Sequence, residues 1–86
     1  MTKESCIEKM KKLVEIASPS FKYNIIVRDW EKYGKSRTYF QIIETREHST
    51  HRSEYDCGYY DNIFQKYIPG RTNLADNYSL SGNRIK

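Results

Sequence analysis

Apolar side chains stand at Cys6, Ile7, Met10, Leu13, Val14 and Ala17. Gaps of three and four put them on one stripe of an α-helix, so a helix over Ser5 to Ala17 is expected. Ser5 and Glu8 have the spacing of a capping box, and Glu8 and Lys12 that of an i,i+4 ion pair on the outer face. Ser18-Pro19 ends the element, because the residue before proline avoids the α region. The pattern then changes to period two. Phe21, Tyr23, Ile25 and Val27 alternate with Lys22, Asn24, Ile26, Arg28 and Trp30, the signature of a half-buried strand. Glu31 to Ser36 is polar around Gly34 and reads as a hairpin loop. Arg37 to Arg46 alternates again, with Phe40 and Ile42 on one side and Tyr39, Gln41 and Ile43 on the other.

Glu47 to His51 is a polar turn. Ser53 to Tyr60 reads as a third strand with Tyr55, Cys57 and Tyr59 on one face. Asp61-Asn62 is a turn signal, and Gly58 to Asn62 as a whole reads as a strand ending in a turn. Phe64 to Ile68 is a short fourth strand that Pro69-Gly70 stops. Residues 70–86 read either as a docked loop with a last strand at Tyr78 to Leu80 or as a loose tail. The expectation is one α+β domain over residues 1–86: an N-terminal amphipathic helix (1–19) packed on one face of a three- to four-stranded antiparallel β-meander (20–69), then the tail (70–86). The expected core is Ile7, Met10, Leu13, Val14, Tyr23, Ile25, Val27, Phe40 and Ile42.

Composition narrows the function classes. Eighty-six residues allow one domain and a small core, with little scaffold for a deep pocket. Aromatics at 14% distinguish the chain from a disordered one. No apolar run is long enough for a transmembrane helix. The opening Met1 to Ser5 leads into a charged helix rather than a signal peptide, so the cytoplasm is the expected location and no membrane partner is expected. There Cys6 and Cys57 are expected as two reduced thiols. The net charge of +4 favours acidic partners. Its sign changes along the chain. Residues 21–52 hold seven Lys/Arg against four Asp/Glu, whereas Glu54, Asp56 and Asp61 face only Lys66 in residues 53–70. Both signs together suit a protein partner at least as well as a phosphate backbone.

Candidate chemistry is sparse. His48 and His51 with Cys57 fall short of the ligands a zinc site needs. His48, His51 and Asp56 lack the oriented partner and substrate position that acid–base catalysis requires. No enzymatic activity, cofactor or metal is therefore expected. The alternate residues of the strands are more informative. Arg28, Trp30, Tyr33, Arg37 and Tyr39 gather on the first hairpin, away from the helix. Trp, Tyr and Arg dominate protein-binding hot spots, and aromatics among basic residues also stack bases and hold phosphates. The competing reading makes Trp30 and the tyrosines a second minor core beneath the tail.

The stretch Asp29-Trp30-Glu31-Lys32-Tyr33-Gly34-Lys35-Ser36-Arg37-Thr38-Tyr39-Phe40, with Gly58 to Asn62 and Tyr67-Ile68-Pro69-Gly70, resembles small accessory proteins of Gram-positive phages and mobile elements. The resemblance covers about the middle half of the chain. It implies an inhibitor or modulator that binds a host protein or nucleoprotein complex, CRISPR–Cas inhibitors among them, and it transfers no catalytic residue. The alternative is a DNA- or RNA-binding module using a basic, aromatic sheet face. A small ribonuclease toxin ranks last, for want of a convergent acid and base.

Overall fold

The computed structural model describes residues 1–16, 21–46, 48–50, 52–72 and 74. Helix α1 spans Lys3–Glu15. Four strands follow, β1 over Phe21–Lys32, β2 over Lys35–Arg46, β3 over Arg52–Asp61 and β4 over Lys66–Ile68. They form one open antiparallel sheet in the order β1-β2-β3-β4. This is the expected α+β layout.

The helix starts earlier than the capping-box spacing implies. Thr2 is the N-cap, and its Oγ1 accepts from the Ser5 N–H at 3.1 Å. Ser5 thus lies inside the first turn. Glu8 sits 3.8 Å from Lys11 rather than pairing with Lys12, and both partners are exposed enough for the pair to contribute little. The stripe faces the sheet as its spacing requires: Cys6, Met10 and Leu13 are buried, with Ile7 and Val14 packed beside them. Ala17 and the expected strand at Tyr78 to Leu80 lie outside the described residues.

Strands β1 and β2 are joined by Tyr33 and Gly34 alone, a tighter connection than the polar run Glu31 to Ser36 indicates. Both residues have positive φ, 52° and 69°, which a two-residue I′ hairpin turn demands. Along β2 the alternation is strict. Thr38, Phe40, Ile42 and Glu44 are buried toward the helix, and the residues between them face away. Buried polar groups need partners. Thr38 Oγ1 donates to Asp29 Oδ1 at 2.8 Å, and Glu44 Oε2 accepts from Tyr55 O–H at 3.1 Å.

Strand β3 departs from simple alternation. The register runs Tyr39↔Tyr59 and then Gln41↔Asp56, so Phe40 stands opposite both Cys57 and Gly58. That extra residue is a β-bulge, and it inverts the phase of everything after it. Cys57 and Tyr60 are buried in the core, whereas Tyr59 turns to the other face, against the expectation that Cys57 and Tyr59 share one. Gly58 has φ +87°, and a Cβ there would meet the Ile68 carbonyl oxygen and the Pro69–Gly70 backbone. Asp56 Oδ1 accepts from the Gly58 N–H at 2.9 Å and fixes the bulge. Beyond β4, Thr72 N–H donates to Asp56 O at 2.7 Å and Leu74 N–H to Tyr67 Oη at 3.1 Å. Leu74 closes the core at 3% exposure.

Two further expectations are corrected. Val27 is 43% exposed, because it lies on the edge strand beyond the helix's cover. Phe64 does not begin the fourth strand. Asp61 Oδ1 accepts from the N–H groups of Ile63 and Phe64, at 2.9 and 3.1 Å, and holds both in a turn.

Gly58→Ala should cost about 2–4 kcal/mol, from the left-handed backbone and from overpacking against Ile68 to Gly70. Urea denaturation measures it, and an unchanged midpoint would contradict the bulge. A second expectation is alkaline. Burial, aided by Asp56, pushes the Cys57 thiol up to about 12, and burial with the Glu44 hydrogen bond pushes the Tyr55 phenol up to about 12. Their unfolded counterparts titrate near 9.0 and 10.0. The unfolded chain therefore loses these protons first, and stability falls as pH rises above about 9. Denaturation midpoints measured from neutral to alkaline pH should decline through that window, and less steeply in Cys57→Ala.

Candidate functional site

The helix covers one face of the sheet. By register, the other face carries Ile26, Arg28 and Trp30 from β1, Lys35, Arg37, Tyr39 and Gln41 from β2, and Glu54, Asp56, Tyr59 and Asp61 from β3. Its centre is an aromatic–arginine cluster. The Arg37 guanidinium lies 4.4 Å from the centre of the Tyr59 ring and 5.9 Å from that of Trp30. Arg37 Nη1 donates to Tyr39 Oη at 3.0 Å, and the Tyr39 and Tyr59 rings stand 5.2 Å apart. Cross-strand pairing creates this arrangement, since Trp30 faces Arg37 and Tyr39 faces Tyr59. Arg37 Nε is buried and has no hydrogen-bond partner among the described residues.

Beside the cluster, Ile26, Arg28, Trp30, Tyr39, Gln41 and Asp56 line an open concavity of about 440 Å³. Of the residues expected from sequence, Arg28, Trp30, Arg37 and Tyr39 are brought together here. Tyr33 is not part of the cluster. It stands at the hairpin tip, 84% exposed, with Lys32 Nζ 4.9 Å from its ring centre. The β3–β4 turn adjoins that tip, since Asn62 N–H donates to Ser36 O at 2.9 Å. There Ile63 and Phe64 are 55% and 79% exposed. Sequence reasoning missed Tyr59, Ile63 and Phe64. Gly58 was the available signal for Tyr59, because an isolated glycine in a strand pattern marks a bulge.

Charge separates between the faces more than along the chain. The open face holds Lys22, Arg28, Lys32, Lys35, Arg37, Arg52 and Lys66 against Glu54, Asp56 and Asp61. Those acids are engaged internally. Glu54 pairs with Arg52 at 3.0 Å, and Asp56 and Asp61 accept from backbone N–H groups of their own turns. The helix-side face carries Asp29, Glu31 and Glu44 against Arg46.

His48 is exposed in the β2–β3 turn, Cys57 is fully buried, and His51 lies outside the described residues. Among the described residues no three of His, Cys, Asp and Glu converge as metal ligands would. No described helix is long and apolar enough to cross a membrane. The class that fold and site define is a small α+β domain, one helix on a four-stranded antiparallel open sheet. Compared with protein-family models, curated proteins and solved structures, the chain finds no match.

Arg37→Met should remove the shared cation from Trp30 and Tyr59. Cation–π contacts contribute about 0.5–1 kcal/mol each at exposed sites and more when desolvated, so removing the half-buried Arg37 from its two rings should lower stability by about 1–2 kcal/mol while the Trp30 fluorescence changes. A loss of several kcal/mol would instead make Arg37 part of the structural core.

Proposed function

We propose that the protein is a non-enzymatic binding module whose open sheet face docks on an acidic surface of a host protein or nucleoprotein complex, as an inhibitor or modulator of phage or mobile-element type would. The observation that carries this reading is the Trp30–Arg37–Tyr39–Tyr59 cluster at the rim of the concavity. Aromatic and arginine side chains preset against one another lose little conformational freedom when a partner covers them. The adjoining tip adds Tyr33 and Phe64, large side chains whose exposure favours contact with a partner. The excess of basic residues favours a partner rich in carboxylates or phosphates.

That same excess supports a second reading, a DNA- or RNA-binding module on this face. Salt separates the two. Phosphate binding loses affinity steeply and linearly on a log–log scale as counterions are released, whereas a protein docking held by buried aromatics loses much less.

The test is paired, on one Trp30→Ala sample. The partner is first captured from host lysate with and without nuclease treatment, then titrated against the purified protein. Affinity should fall about thirtyfold or more, equivalent to about 2 kcal/mol, while the melting temperature stays near that of the parent. A large drop in melting temperature with affinity intact would assign Trp30 to packing and remove the cluster from the binding face.

A further inference from the structure

The concavity on the open face, about 440 Å³, has the size of a small-molecule site, and its two sides differ in chemistry. On the β1 side stands Arg28, exposed, with no hydrogen bond or ion pair among the described residues. On the β3 side stands Asp56. Its Oδ1 accepts from the Gly58 N–H at 2.9 Å, and its Oδ2 has no partner among the described residues. Gln41 is paired across from Asp56. Its Nε2 donates to Glu54 Oε2 at 3.3 Å, which leaves the amide carbonyl as the acceptor it can turn to a ligand. Ile26, Trp30 and Tyr39 supply apolar and aromatic surface between the two sides. Register measures the gap. Arg28 is paired with Tyr39 and Asp56 with Gln41, so Arg28 and Asp56 are separated by two strand spacings and a step of two residues. At about 4.8 Å between strands and about 3.4 Å per residue, their Cα atoms stand about 12 Å apart.

We propose that this concavity binds a guanine nucleotide. The ligand must bring an anion to Arg28, two N–H donors to Asp56 and Gln41, and a flat apolar body between them. A free amino acid carries its two charges on neighbouring atoms and cannot bridge the gap. A nucleotide carries its phosphate and the edge of its base at opposite ends. Guanine alone among the common bases sets two donors side by side on that edge, the ring N1–H and the 2-amino group. These meet Asp56 Oδ2 and the Gln41 carbonyl. The edges of adenine, cytosine and uracil each place an acceptor beside the donor, and that acceptor would lie against the carboxylate without a partner. The purine ring lies across Ile26 and Tyr39, where an aromatic side chain favours stacking, and the phosphate reaches Arg28 in a charge-assisted contact. This is a small-ligand site. It goes beyond docking on a partner and does not depend on it.

Calorimetric titration of the purified protein with guanosine monophosphate, adenosine monophosphate, guanosine and inorganic phosphate reads each contact. Emission of Trp30, the only tryptophan, should change as guanosine monophosphate saturates the site. That nucleotide should bind at least about tenfold more tightly than adenosine monophosphate and than guanosine, because each comparison removes a hydrogen bond to a charged group. Arg28→Gln should erase the advantage over guanosine and keep the advantage over adenosine monophosphate. Asp56→Asn should do the reverse. Its Oδ1 still accepts from the Gly58 N–H, so the bulge is retained. A short RNA with one guanosine among uridines identifies the source: tighter binding than the mononucleotide assigns the site to a single strand, weaker binding to the free nucleotide. No saturable binding of guanosine monophosphate at millimolar concentration overturns the proposal. So does equal affinity for all four ligands, which would leave stacking or charge without recognition. Either result leaves capture of a protein partner on the same face to its own test.

Discussion

Phe40 faces two residues of β3 where regular pairing would give it one, and most of the molecule follows from that extra residue. The bulge at Cys57 and Gly58 lets the chain bring both Cys57 and Tyr60 under the helix, three positions apart, which an unbroken strand cannot do. It turns Tyr59 to the opposite face, where the ring meets Arg37 and Tyr39. It also leaves a bare backbone at Gly58, against which Ile68 to Gly70 can lie. That contact directs the chain after β4 back along β3, and Leu74 then seals the core. A side chain at residue 58 would disturb the core, the last strand and the open face together.

The core is otherwise thin. One helix stripe meets the middle of a twisted sheet, and large apolar side chains run out before the sheet does. Polar pairs fill the margins. Thr38 is wholly buried between Asp29, to which it donates at 2.8 Å, and Asn62, whose Nδ2 donates to it at 3.1 Å. Tyr67 donates to Cys57 O at 2.8 Å and accepts from Leu74 N–H, so one hydroxyl joins β3, β4 and the segment beyond. Such bonds contribute only about 1 kcal/mol each, but leaving one of these groups unpaired and buried would cost more. They fix which of several similar packings a small apolar core adopts.

Period and spacing made much of this legible. The helix stripe and the alternation of β2 are regular, because each lies at the centre of a layer and feels one environment along its length. Errors fell where the environment changes. Val27 has the chemistry of a core residue, but whether the helix reaches it depends on a crossing geometry that no local pattern encodes. Thr2 and Ser5 are both competent caps, and only the fold decides where the first turn closes. Period two tells which residues share a face until the phase slips, so Tyr59 and Tyr60 exchanged roles beyond Gly58. The Trp30, Arg37 and Tyr39 part of the site was readable because it precedes the slip. Tyr59 was not, because it follows it.

The distribution of charge has the same origin as the open face. A domain with one helix covers one side of its sheet, and the residues beneath that helix must be apolar or paired. Of the long basic side chains of β1 and β2, all but Arg46, at the end of β2, lie on the other side. What sequence order alone does not impose is the disposition of the acids there. Asp56 and Asp61 accept from backbone N–H groups and Glu54 pairs with Arg52, so each carboxylate is held in place by a local partner while keeping its charge. The bulge uses Asp56, and the turn at Ile63 and Phe64 uses Asp61. The local structure that shapes β3 thus also fixes where these carboxylates sit, and it sets Asp61 directly across from Arg37, whose guanidinium its charge favours.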